Sequence, residues 1–298
     1  MSGPLLVTGG AGYLGRRVLA LAAESGAWSQ VVGTYHRTPL ATGAGLALDL
    51  SDPQALDSAL TELRPQTIIH TAAVSPALGS AMTNQALWQV NVQGTAALAQ
   101  WAARTNTRLV HVSSDAIWGG RDAAYTEADV PAPITPYGAS KAAAEALVQA
   151  LHPQAAIART SLIYGWQPPD PNTVMAFEML QGQRSGFLFT DETRCPIFVD
   201  DLARALLELA QLDLAGVFHC VGGQALSRYD FGAALVRWHA GDPSGLPAGS
   251  TSASGVRRPS QVIVTNTRTR MRLHSRLRGV EEVMAEEVVH GTYPGSYQ

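Results

Sequence analysis

Three glycines between a short apolar run and an amphipathic stretch constrain this chain more than any other feature. Leu5-Leu-Val7 leads into Thr8-Gly-Gly-Ala-Gly-Tyr-Leu-Gly15, and Tyr13–Ser25 continues with helical periodicity. In that context Gly9, Gly12 and Gly15 permit a tight strand-to-helix turn. They also let a pyrophosphate approach the backbone, over the free N–H groups that open the helix. The alternation then repeats. Strands are expected at Leu5–Thr8, Gln30–Tyr35, Leu46–Leu48, Thr67–Thr71, Leu109–Ser113 and Ala156–Arg159, and helices at Tyr13–Ser25, Pro53–Leu63, Met82–Arg104 and Pro136–Leu151. Pro53 after Ser51-Asp52 is a helix-start signal. Runs such as Ile68-Ile69 lack polar alternation, as strands covered on both faces do. The pattern predicts an α/β chain built on a doubly wound parallel sheet.

The second half reads differently. Trp166-Gln-Pro-Pro-Asp-Pro171 breaks regular structure, and Ala240–Gly255, rich in Gly, Ser, Pro and Ala, reads as a long mobile loop. Ile197–Val199 and Val217–His219 look like strands flanking a helix at Asp201–Leu212. The expected division is a dinucleotide-binding domain over 1–165 and a smaller, irregular substrate domain over 166–298, with 197–221 returning to the first.

A formal net charge of −3 supplies no positive field for nucleic acid. No apolar run approaches the roughly 20 residues that span a bilayer. The first strand begins almost at the N-terminus, leaving no room for a signal peptide. The two cysteines, Cys195 and Cys220, have neither metal-ligand spacing nor the numbers of a disulfide framework. They are expected to be buried thiols in a cytoplasmic protein.

The end of the second strand bears on the choice of dinucleotide. An acid there would bond the ribose 2′-hydroxyl of NAD; the sequence instead reads Thr34-Tyr-His-Arg37, without a carboxylate and with a guanidinium suited to a 2′-phosphate. This favours NADP(H), with NAD(H) left open. Asp49 is placed either to bond an adenine amino group or to cap the next helix.

Tyr137-Gly-Ala-Ser-Lys141 puts a phenol and an ammonium on one helix face, where the cation is expected to ease proton exchange by the tyrosine. With the glycine loop and Ser113-Ser-Asp115 it forms an ordered set. Thr8–Gly15, His70-Thr-Ala-Ala73, Asn91-Val-Gln-Gly-Thr95, Ser113-Ser-Asp115, Tyr137-x-x-x-Lys141 and Arg159-Thr-Ser-Leu-Ile-Tyr-Gly165 resemble the extended short-chain dehydrogenase/reductases. Val112–Trp118, Pro196-Ile-Phe-Val-Asp-Asp-Leu-Ala203 and Arg257-Arg-Pro259 look most like the dTDP-4-dehydrorhamnose reductases among them.

The resemblance implies a Rossmann domain and an NADP(H)-dependent reduction of a 4-keto nucleotide sugar. Tyr137 would be the general acid at the substrate carbonyl, Lys141 would hold the nicotinamide ribose, and Ser114 would polarise the carbonyl. These reductases usually carry threonine at that last position. Ser113 is the rival serine, but strand alternation sends the two side chains to opposite faces. Cofactor contacts would come from Gly9, Gly12, Tyr13, Leu14, Gly15, Arg37, Asp49, Leu50, Ala72, Ala73, Tyr137 and Lys141, and substrate contacts from Ser114, Tyr137 and Arg258. Asn91 would support the site from a helix or merely pack there. A homodimer is left open, and no residue is assigned to a metal.

Several features read more plainly. Related dehydratases carry Thr-Asp-Glu where this chain has Ser114-Asp115-Ala116, so the dehydratase base is missing. An epimerase that keeps NAD bound, and a non-catalytic NADP-binding subunit resembling methionine adenosyltransferase β, remain alternatives. His70 and His111 are expected to be hydrogen-bonded core residues. From Arg257 to Arg278 stand seven arginines and no acid, followed by Glu281, Glu282, Glu286 and Glu287, a pattern expected for a solvated helix of mixed charge.

Overall fold

The computed structural model describes residues 3–75, 83–166, 168–255 and 258–287. Its frame is a seven-stranded, fully parallel sheet. The chain enters through β1 (Leu5–Thr8), turns into α1 (Tyr13–Ser25), and returns as β2 (Val31–Tyr35) and β3 (Ala44–Ala47). Asp52 accepts from Gln54 N and Ala55 N to cap α2 (Pro53–Leu63), with proline in the first turn. β4 (Thr67–His70) follows.

The single helix expected over 82–104 has three parts: α3 (Asn84–Leu87), a wider π-helical segment (Trp88–Gly94) and α4 (Thr95–Thr105). Met82 lies outside the described residues. Apolar periodicity cannot reveal such a widening, which here carries Asn91. Next come β5 (Arg108–Ser114), α5 (Pro136–Leu151) and β6 (Ala156–Thr160). β7 (Ile163–Tyr164) leads to α6 (Pro171–Leu180), β8 (Leu188–Phe189), β9 (Thr193–Arg194) and β10 (Ile197–Phe198). α7 (Val199–Gln211) then packs on α1, and β11 (Gly216–His219) joins the main sheet beside β6.

The strand order β11-β6-β5-β4-β1-β2-β3 reverses direction of growth between β1 and β4. A crevice opens at the carboxyl ends of strands at such a point. Strand alternation divides the core. Leu5 and Val7 face one layer with Val18, Leu202 and Leu206, while Leu6 between them faces the other with Leu56, Leu60 and Leu98. Both faces are covered, which is why these strands are apolar throughout.

The remaining chain makes β12 (Leu226–Ser227), α8 (Arg228–Trp238), β13 (Ala248–Gly249), α9 (Thr267–Arg270) and α10 (Val280–Glu286). Two expectations fail here. Residues 240–255 do not form one open loop: β13 pairs with β8, and Thr251 bonds the Asp191 carboxylate through N and Oγ1, both at 2.8 Å. Nor is the arginine-rich run one helix: among its described residues only Thr267–Arg270 is helical, and while Arg268, Arg270, Arg272 and Arg276 are exposed as expected, Arg278 is buried against Asp201, Oδ1 at 2.6 Å. Cys195 and Cys220 are buried free thiols, as expected.

Candidate active site

At the end of β1 the chain turns through Gly9, whose φ of +68° disfavours any side chain. A Cβ there would also lie 2.8 Å from Ala72 Cα, the first turn after β4. Gly15 is needed for another reason: its Cβ would sit 2.2 Å from Gly9 O, so only glycine lets α1 close onto the turn. Gly12 occupies the cap position of α1 in extended conformation, without a side-chain cap or an acid in the first turn. The first N–H groups of a helix have no intrahelical acceptor, so this end suits an anion. These features fit a dinucleotide pyrophosphate. Leu14 and Leu50 bury their side chains in the core, leaving backbone as their means of contact. Ala72 and Ala73 are half-buried beside the glycine turn. Tyr13 packs its hydroxyl toward Gly165 in a buried setting that pushes the phenol up.

The distal end of the crevice is exposed. Arg37 follows β2 and lends positive potential to Asp49. Asp49 accepts from Ser51 N and Ser51 Oγ at 2.8 and 2.7 Å, bonds that hold its carboxyl below the usual range. The helix cap considered for Asp49 belongs instead to Asp52.

The catalytic candidates come from β5 and α5. Thr135 Oγ1 accepts from Gly138 N to cap α5, and Pro136 opens its first turn. A Cβ on Gly138 would lie 2.0 Å from Ala116 O, so the helix is seated directly on the turn that follows β5. That contact brings Tyr137 beside Ser114, whose hydroxyl favours ionisation of the phenol. Ser114 also accepts from Ala116 N at 3.2 Å, capping the short turn Asp115–Ile117. Ser113 faces the other way, buried and without a hydrogen-bond partner for Oγ.

Lys141 is buried one turn further along α5, and its Nζ donates to Val112 O at 2.7 Å. Desolvation pushes the ammonium down to about 8, against the attraction of Glu145. The expected easing of Tyr137 ionisation is not what the geometry gives. Burial dominates and pushes the phenol up to about 12; the Ser114 hydroxyl opposes this and the Asp115 charge reinforces it. Tyr137 is thus held in its proton-donating form.

Behind this pair, Asn91 accepts from Val74 N at 2.8 Å and donates to Val74 O and Ser140 Oγ. Ser140 in turn donates to Tyr137 O at 2.7 Å. Asn91 therefore ties the chain after β4 to the turn that carries Tyr137. Glu145 and Arg159 form a buried ion pair at 2.9 Å across α5 and β6. His70 bonds Thr8 Oγ1 and Thr95 Oγ1, and burial pushes it down to about 3. His111 departs from expectation: neither ring nitrogen has a partner, because apolar strands and the His70 ring enclose it.

Arg258 lies beyond Ser114, past a knot of charge that the sequence did not disclose. Its Nε donates to Glu192 Oε2 at 2.6 Å, and its guanidinium stacks 4.8 Å from the Phe189 ring centroid. Glu192 is buried, while the Arg258 side chain keeps 39% of its surface exposed. Arg194 donates to Pro259 O and Ser260 O at 2.9 and 3.0 Å, and its Nε stands 3.7 Å from Asp115 Oδ2. Arg257 lies outside the described residues.

Residues 3–290 match the model of a family described as the RmlD substrate binding domain. The dTDP-4-dehydrorhamnose reductase of Mycobacterium tuberculosis is 31% identical over 246 residues, covering 80% of this chain and 76% of that protein. The methionine adenosyltransferase 2 subunit beta of Rattus norvegicus is 29% identical over 239 residues, covering 78% and 70%. The fold superposes on a dTDP-4-dehydrorhamnose reductase from Bacillus anthracis, solved in complex with NADP, with a TM-score of 0.82 at 24% identity over 96% of this chain and 98% of that one. Glycine turn, sheet order and family match agree across nearly the whole length, and the chain belongs to the RmlD substrate-binding domain family.

Proposed function

We propose that this protein is an NADP(H)-dependent reductase of a 4-keto nucleotide sugar, acting as dTDP-4-dehydrorhamnose reductases do. The observation that carries the reading is α5 seated directly on the turn after β5, which sets Tyr137 beside Ser114 with Lys141 buried beneath. When bound, the dinucleotide would supply hydride to the carbonyl carbon. Gly9, Gly12 and Gly15 would hold its pyrophosphate at the start of α1, with Arg37 beside the adenosine ribose.

The chain's own groups account for the rest. Ser114 Oγ donates to the carbonyl oxygen and stabilises the charge that develops there. Tyr137 gives its proton to that oxygen, which becomes the product hydroxyl. A phenol held up at about 12 keeps that proton across the neutral range. Lys141, close to its own titration point, serves as a polar anchor beneath. Residues from 166 onward supply the sugar-nucleotide side, with the exposed part of Arg258 turned to the diphosphate.

The test is NADPH oxidation with a dTDP-4-keto-6-deoxysugar, NADH run in parallel. Faster turnover with NADPH supports the reading; no turnover with any 4-keto nucleotide sugar rejects it. The likeness to the methionine adenosyltransferase β subunit carries a second reading, a cofactor-binding regulatory subunit. Capture of a larger enzyme without reductase activity would favour that one.

A further inference from the structure

Glu192 gathers more positive charge than it can offset. Its buried carboxylate takes Arg258 Nε at 2.6 Å and stands 3.4 Å from Arg194 NH2, while Arg194 Nε also lies 3.7 Å from Asp115 Oδ2. A third guanidinium belongs to this group. Arg228 is the first residue of α8, and its backbone N donates to Glu192 O at 2.9 Å. Its side chain is half-buried, with NH1 donating to Asn172 Oδ1 at 3.3 Å. Among the described residues no carboxylate pairs with it, since Glu192 and Asp115 are taken by Arg258 and Arg194. The acid nearest in sequence, Asp230, is committed to the helix cap, where Ser227 Oγ donates to its Oδ2 at 2.6 Å.

Three guanidinia thus meet two carboxylates. Burial raises the Asp115 carboxyl, and a proton there would only enlarge the positive excess. Desolvation likewise pulls the Arg228 guanidinium below its ordinary value, with Glu192 opposing and Arg194 and Arg258 reinforcing. A half-buried cation without a counter-charge is costly, and an anion that reaches it recovers the cost. The group also adjoins the catalytic turn. Asn172 Nδ2 donates to Ile163 O at 3.2 Å, two residues beyond Ser161, whose Oγ bonds the Asp115 carboxylate next to Ser114.

We propose, resting on the reductase reading above, that Arg228 is a further substrate-binding residue, which Asn172 steers so that its guanidinium grips a phosphoryl oxygen of the nucleotide diphosphate. Arg258 then has the lesser share of the charge. Glu192 already neutralises it and the Phe189 ring fixes its plane, so it orients the diphosphate more than it attracts it. Arg228 supplies the attraction, as a guanidinium fork does for phosphate.

The experiment compares wild type, Arg228→Met and Arg228→Lys, with folding checked by circular dichroism. Calorimetry gives the Kd of dTDP and of UDP under saturating NADPH, which keeps either diphosphate out of the glycine turn. Arg228→Met should raise both Kd values by about tenfold to a hundredfold and flatten their dependence on salt, leaving the Kd of NADPH unchanged. Arg228→Lys should recover part of the loss, because it restores the charge without the fork. In the reductase assay the loss should appear in KM, with kcat preserved. Unchanged diphosphate affinity in a folded Arg228→Met overturns the proposal. Failure of both variants to fold overturns it too, by making the role structural, as does a wild type that binds neither dTDP nor UDP. If wild type binds a diphosphate yet reduces no 4-keto nucleotide sugar, the reductase reading fails while the affinities still decide this one.

Discussion

The two halves of the molecule keep their functional groups in place by different means. In the sheet half, Ser114, Tyr137 and Lys141 stand on the end of β5 and the start of α5. Regular hydrogen bonds and close backbone packing at Gly138 fix their separation. In the half after residue 165, Arg258 sits on irregular chain, paired with the buried carboxylate of Glu192, which Arg194 also approaches, and Arg278 is held likewise by Asp201. The first arrangement tolerates little change in backbone. The second tolerates loop variation as long as its charges stay paired, which suits the substrate-binding role proposed for it.

Substitutions can break or sharpen this contrast. The largest effect is expected from Tyr137→Phe: loss of the proton donor should cost about 10²–10⁴-fold in kcat and leave dinucleotide affinity unchanged in a binding titration. On the other side of the contrast, Arg278→Met strands Asp201 as a buried unpaired charge. It should cost about 3–5 kcal/mol of stability by denaturant unfolding, with the catalytic groups untouched. Gly138→Ala attacks the backbone contact itself. A methyl group 2.0 Å from Ala116 O must displace α5, and a loss of about 1–3 kcal/mol together with a lower kcat is expected.

Lys141→Met separates activity from stability. Its ammonium sits at about 8 in the fold against an ordinary 10.5. The unfolded chain therefore holds that proton more tightly, and the group's contribution to stability rises as pH climbs from about 8 toward 10.5. The variant should lose turnover yet gain about 1–3 kcal/mol at neutral pH, a gain that shrinks as the pH is raised. The smallest effect is expected from Arg258→Lys, a rise in KM of about tenfold, on the order of 1.4 kcal/mol, with kcat preserved.

The same contrast explains what the sequence made legible. β1, α1, α2 and α5 are set by local signals: apolar runs, Asp52 and Thr135 caps, and Pro53 and Pro136 in first turns. The glycine turn is readable because only glycine meets its backbone demands. The π-helical widening at Trp88–Gly94 is not, since it follows from where Asn91 must reach Val74 and Ser140. Nothing local marks Glu192, Arg194 or Ser161. Their importance comes from partners 46 to 79 residues away, such as Asp115 for Ser161 and Arg194. Lys141 does not ease Tyr137 for a related reason: the two share one helix face, but burial is the largest influence on both proton affinities. Residues 240–255 are not one open loop, because β13 takes its order from β8, more than fifty residues earlier.

The most direct test of the central claim is the rate of NADPH oxidation by wild type and Tyr137→Phe on the same dTDP-4-keto-6-deoxysugar, with product checked for a new C4 hydroxyl. Turnover by the wild type and its near-complete loss in the variant are expected. Equal rates in both proteins, or no reduction of any 4-keto nucleotide sugar while NADPH binds, would contradict it.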